Sequence, residues 1–116
     1  MKVTIYHNPR CSKSRETLAL LTARGIQPEI IEYLKTPPDQ ATLQRLLKAL
    51  GMTPRQLLRT KEDAYAETGL DNPKLSDAQI LKTMVTHPVL LERPIVVVDG
   101  KAAIGRPPEN VLRLLK

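Results

Sequence analysis

Residues 1–33 constrain the fold more than any other stretch. Lys2 to Tyr6 alternate, with Val3 and Ile5 on one face, which predicts a strand. Asn8-Pro9 stops it. A helix follows from about Ser12 to Arg24, with Ser14, Leu18 and Leu21 as one stripe and Leu20 widening it. Gly25 is placed to close that helix in the left-handed conformation. Pro28 and the apolar pair Ile30-Ile31 mark a second strand ending near Tyr33. A strand, a helix and a strand in this order form a βαβ unit, which requires a parallel pair and a right-handed crossover.

The end of the chain has a different signature. Ile95-Val96-Val97-Val98 reads as a buried strand, Asp99-Gly100 as a two-residue hairpin turn, and Lys101 to Ile104 as the antiparallel return. Gly105-Arg106-Pro107-Pro108 leads into a last helix carrying Val111, Leu112, Leu114 and Leu115. Between the two β regions the pattern is helical. Thr36-Pro37-Pro38-Asp39 is expected to open a helix with its prolines in the first turn, followed by Leu43, Leu46, Leu47 and Leu50 up to Gly51. Thr53–Gln56 and Ser76–Gln79 are capping-box patterns, and the second precedes a stripe of Ile80, Leu81, Met84 and Val85 that His87-Pro88 ends. A block from about residue 36 to residue 88 is too long for a loop and predicts an inserted helical subdomain. The expected class is therefore α/β: one domain over residues 1–116, with a four-stranded mixed sheet. Its first strand should be central, with Cys11 at the carboxyl edge where α/β sites lie.

Composition narrows the function classes. The 116 residues include three tyrosines as the only aromatics, so the core must be aliphatic. The net charge of +6 is scattered except at Arg10, Lys13 and Arg15, with no dense basic tract and no aromatic stacking series. That argues against a nucleic-acid surface. No apolar run approaches the roughly 18 residues of a membrane span, and the first residues lack a signal-peptide pattern. One cysteine cannot form an internal disulfide and fits a reducing compartment, so a cytoplasmic protein is expected; a monomer is expected as well. His7 and His87 have no ligand cluster around them, and neither a metal nor a resident cofactor is expected.

That lone cysteine sits in Tyr6-His7-Asn8-Pro9-Arg10-Cys11-Ser12-Lys13-Ser14-Arg15, between a strand end and a helix start. A free thiol has a pKa near 8.5 and is only about 3 % thiolate at neutral pH. Bringing the pKa to about 6.5 needs about 2.7 kcal/mol of differential stabilisation. A helix N-terminus supplies about 0.3–2 kcal/mol, so arginine charge must add the rest, with Arg10 and Arg15 as the local candidates. The same N–H groups receive oxyanions, and Ser12 and Ser14 add hydroxyls. An inert buried cysteine is the plain alternative, but the polar and basic setting favours a reactive thiolate beside an anion pocket. Ser14 stands where a Cys-x-x-Cys pair would place its second thiol, and Thr17 where a Cys-x5-Arg loop would place arginine. Oxidised Cys11 therefore needs an external thiol to resolve it. Arg59, Arg93 and Arg106 stand at element edges, and a guanidinium fork suits tetrahedral oxyanions.

The segment Ile5–Arg15, with Leu57-Leu58-Arg59, Arg93-Pro94-Ile95-Val96-Val97 and Gly105-Arg106-Pro107, resembles the ArsC family, the glutaredoxin-coupled arsenate reductases, and within it a shorter bacterial branch. The resemblance runs in order over nearly the whole chain. It implies a thioredoxin-like fold with a helical insertion, and a role in arsenic detoxification. It further implies that Cys11 attacks arsenate and that Arg59, Arg93 and Arg106 hold the oxyanion and then the arsenite adduct. Glutathione would form a mixed disulfide with Cys11, which glutaredoxin would remove. His7 and Ser14 match assisting positions, and Pro94 matches a proline expected in the cis form.

Two other classes stay open on the sequence. One is a regulator resembling the Spx proteins, which bind RNA polymerase and share an Arg-Pro-Ile stretch but use a Cys-x-x-Cys switch that Ser14 breaks here. The other is a non-catalytic module that binds an oxyanion or a glutathionylated partner.

Overall fold

The computed structural model describes residues 1–115. The chain forms two compact units, one from Met1–Thr36 with the chain from Arg93 onward, the other from Pro37–Glu92.

In the first unit, among the described residues, four strands form one mixed sheet. They are β1 (Val3–His7), β2 (Glu29–Glu32), β3 (Ile95–Val98) and β4 (Lys101–Ile104), in the order β2-β1-β3-β4. β1 lies inside the sheet, parallel to β2 and antiparallel to β3. α1 (Ser12–Ala23) makes the crossover between β1 and β2. Gly25 takes the left-handed conformation, φ 76°, just after the helix. Asp99 and Gly100 both have positive φ, 50° and 81°, as a hairpin turn matched to the twist of its strands requires.

One buried cluster of this unit lies on one face of the sheet. Ile5 pairs with Val96 and Val3 with Val98, so all four point the same way, and Leu21 of α1 and Val111 close over them. The stripe of α1 differs from the expected one. It runs through Ser14, Thr17 and Leu21, while Leu18 and Leu20 are only half-buried. The last helix, Pro108–Leu115, is a 3-10 helix. Its repeat of three residues stacks Pro108, Val111 and Leu114 on one side. Pro108 and Val111 are buried there, and Leu114 is half-buried.

The second unit contains α2 (Gln40–Leu50), α3 (Pro54–Leu57), α4 (Asp63–Glu67), α5 (Asp77–Thr86) and a 3-10 turn at Pro88–Leu90. α5 packs against both α2 and α3. Leu43, Leu46 and Leu47 of α2 and Ile80, Leu81 and Met84 of α5 are buried. Thr53–Gln56 and Ser76–Gln79 both form full capping boxes. The expectation for Pro37 and Pro38 fails: both precede the helix, whose N-cap is Asp39, accepting from the Thr42 N–H. Asp39 offers an oxygen to the first turn that proline cannot, and the cap forms three residues after Thr36.

Candidate active site

The loop after β1 is built by hydrogen bonds that its residue types dictate. Asn8 opens a tight turn with Pro9 behind it, and the Cys11 N–H donates to the Asn8 carbonyl at 3.0 Å. The Asn8 side-chain oxygen accepts from the Arg10 N–H at 3.0 Å. Arg15 reaches back, and its Nη1 donates to the Pro9 carbonyl at 3.0 Å. The turn delivers Cys11 to the N-cap of α1 in extended backbone geometry.

Ser14 fastens the helix to the strand. Its Oγ accepts from the Asn8 N–H at 3.0 Å and shares a 2.6 Å hydrogen bond with His7 Nδ1. Ser14 is fully buried and His7 nearly so. Burial pushes the His7 pKa down, Glu32 opposes this and Arg15 adds to it, so the net shift is downward and favours the neutral ring. The Ser14 hydroxyl thus serves the joint between β1 and α1, while its backbone N–H faces the Cys11 sulfur without the alignment of a full capping bond. Ser12, by contrast, is exposed.

The hairpin supplies the charge. Ile95 pairs with Ile104, and the Gly105 N–H donates to the Pro94 carbonyl at 3.0 Å. The register therefore sets Arg93 and Arg106 opposite each other at the hairpin's open end. Arg106 Nε donates to the Arg93 carbonyl at 2.7 Å, which aims the fork, and its Nη2 donates to Cys11 Sγ at 3.4 Å. The Arg93 side chain also donates toward that sulfur. Arg93-Pro94 is cis, as the resemblance implied, and Arg106-Pro107 is cis as well. Gly105 permits the close approach of hairpin and helix. A Cβ there would run into Thr17 Oγ1 and lie 2.9 Å from Pro94 Cγ.

Cys11 itself is 9 % exposed. Burial pushes its thiol up. The Ser14 N–H, the hydrogen bond from Arg93 and the charges of Arg93 and Arg106 together outweigh it, and the pKa lies below its ordinary value. The cations responsible come from the far hairpin, whereas the local candidates Arg10 and Arg15 are absorbed by the loop or exposed. A cysteine at a helix start whose pKa is lowered by two neighbouring guanidinium groups can, as its thiolate, attack an electrophilic centre that carries anionic oxygens.

Arg59 belongs to the second unit. Its Nε meets Glu62 at 3.2 Å and its Nη1 meets Glu92 at 2.8 Å, and its backbone N–H donates to the Leu90 carbonyl at 2.8 Å. His87 ends α5, as its place before proline suggested. Among the described residues, no group of three or more His, Cys, Asp or Glu side chains could hold a metal. No helix there is long and apolar enough to cross a membrane.

The model of the ArsC family matches residues 6–114. The uncharacterized protein YfgD of Escherichia coli K12 is 57 % identical over 115 residues, spanning 98 % of this chain and 97 % of that one. An arsenate reductase of Haemophilus influenzae is 53 % identical over 116 residues, spanning 99 % of this chain and 100 % of its own. The solved arsenate reductase from Vibrio cholerae superposes with a TM-score of 0.95 at 52 % identity, with 98 % of each chain covered. The thioredoxin-like α/β fold with its mixed four-stranded sheet is common to this chain and those neighbours.

Proposed function

The chain belongs to the ArsC family, and on that premise we propose that it reduces arsenate to arsenite with Cys11 as nucleophile and external thiols as reductant. The observation that carries this reading is the Arg106 guanidinium, 3.4 Å from a sulfur at the start of α1.

The Cys11 thiolate attacks the arsenic of arsenate, forming an S–As bond and expelling an oxygen as water. Arg93 and Arg106, already turned toward the sulfur, hold the remaining oxygens and spread the charge that builds up in the attack. A glutathione thiolate then attacks the Cys11 sulfur. The S–As bond breaks with its electron pair going to arsenic, which leaves as arsenite, and Cys11 is left in a mixed disulfide with glutathione. Glutaredoxin takes up the glutathionyl group and releases the Cys11 thiolate. Arsenate and two thiols thus give arsenite, one disulfide and water. His7 and Ser14 support the step by fixing the loop, and Pro94 by seating Arg93. The need for reducing thiols suits the cytoplasm, with the chain acting as a monomer.

Arsenite formation in purified protein with arsenate, glutathione and glutaredoxin tests the reading. Turnover is expected, and Cys11→Ser should abolish it. Activity that persists in that variant, or no arsenite from the unaltered protein, would overturn the proposal.

A further inference from the structure

Tyr33 is 1 % exposed, and its hydroxyl has no hydrogen-bond partner among the described residues. A buried donor without an acceptor costs free energy, so its retention calls for a reason.

Its place in the sheet supplies one. The parallel register pairs His7 with Glu32, which carries Tyr33 to the level of Asn8. The antiparallel register pairs Tyr6 with Ile95 and carries Arg93 to the same level from the other side. The hairpin register then sets Arg106 opposite Arg93. Continued past the strand ends, the sheet order gives one row, Tyr33–Asn8–Arg93–Arg106, along the edge where Cys11 lies. Residues opposite one another in a sheet share a face. The Tyr33 hydroxyl accordingly lies near the side chains of Asn8, Arg93 and Cys11.

None of those neighbours takes its hydrogen. Arginine has no acceptor at all. The Asn8 side-chain oxygen is turned to the Arg10 N–H at 3.0 Å. Burial pushes the Tyr33 pKa up, and the Arg93 charge with the Asn8 and Arg93 side chains offsets only part of this. The group therefore remains protonated and keeps a hydrogen to give.

We infer that the Tyr33 hydroxyl donates a hydrogen bond to an oxygen of the tetrahedral oxyanion held by Arg93 and Arg106, and so selects for a substrate with an oxygen on the β2 side of the sulfur. This rests on the reading of Cys11 as a nucleophile toward an oxyanion. It adds an uncharged donor to a set otherwise made of guanidinium groups.

Tyr33→Phe in the full chain tests it, with arsenate turnover, binding of inorganic phosphate as a non-reducible probe, thiol titration and thermal unfolding measured together. Losing a hydrogen bond to a charged group should weaken phosphate binding and lower kcat/KM for arsenate about 10- to 100-fold. Thiol titration should stay in place, and unfolding without the anion should be unchanged or shifted upward, because the lost hydroxyl had no partner. A merely structural tyrosine would instead lower the unfolding temperature and leave phosphate affinity alone. Unchanged affinity and turnover in Tyr33→Phe, with an active unaltered protein, overturns this inference and spares the reductase reading. Phosphate binding that depends on Tyr33 in a protein that makes no arsenite does the reverse. If Tyr33→Phe fails to fold, the near-ultraviolet difference spectrum of the unaltered protein on adding phosphate decides. A tyrosine signal supports the contact, and its absence refutes it.

Discussion

At the start of α2, Asp39 accepts the Thr42 N–H, and at the starts of α3 and α5 Thr53 and Ser76 do the same within capping boxes. At the start of α1 the equivalent position is Cys11, which makes no such closed bond, and the first turn holds no acidic residue. Every helix leaves N–H groups without intrahelical partners at this end. The helical unit satisfies many of them with side-chain oxygens, which stabilises the helices and leaves less of their field for a ligand. The sheet unit leaves them to a sulfur, and two guanidinium groups from a distant hairpin face the same atom. The same kind of terminus is closed by a side-chain oxygen at α2, α3 and α5 and faces a sulfur at α1.

Removing the hairpin's charge should break this contrast most severely. Arg106→Ala deletes one charge-assisted contact to the sulfur, and kcat/KM for arsenate should fall about 10- to 100-fold. The thiol should titrate nearer its ordinary value, as thiolate absorbance against pH would show. An unmoved titration would mean that Arg93 and the α1 start lower the Cys11 pKa without help from Arg106. A smaller effect is expected on the closed side. Ser76→Ala should cost about 1 kcal/mol of stability in denaturant titration and leave the thiol pKa where it is. A shift of the thiol in that variant would undo the division of roles. The subtlest effect concerns pH. The folded thiol pKa lies below its ordinary value, so the unfolded chain holds the proton to higher pH than the folded one. Stability relative to Cys11→Ser should therefore rise with pH from the folded pKa up to the ordinary thiol range, be flat above it, and vanish as pH falls through the folded pKa. Denaturant midpoints of the two proteins across pH 5–10 give this difference directly.

Much of this could be read from local residue types. Asp99-Gly100, the two capping boxes and the strand at Ile95–Val98 are each written in neighbouring residues, and the structure has all of them. The cysteine segment was equally legible, because Asn-Pro before it and a polar helix start after it encode the turn. What local residue types could not place depends on register. Arg93 and Arg106 stood out as arginines at element edges, but that they rather than Arg10 and Arg15 are the cations on the sulfur follows from β1 pairing with β3 and β3 with β4. Thr17 carries no apolar signal, yet it is fully buried because it meets Gly105 across the unit. Tyr33 read only as a strand end, since its level beside Asn8 depends on the same pairing.

The hairpin has one more property. Arg93 and Arg106 stand at its open end beside the sulfur, while the chain reverses at the opposite tip, Asp99-Gly100. Foreign sequence spliced into that tip would extend away from the sulfur. Adding residues in matched pairs keeps the two guanidinium groups abreast, whereas one extra residue in β4 alone would rotate Arg106 to the other side of the sheet. The tip is therefore the natural port for a fluorophore or an affinity handle on a working protein.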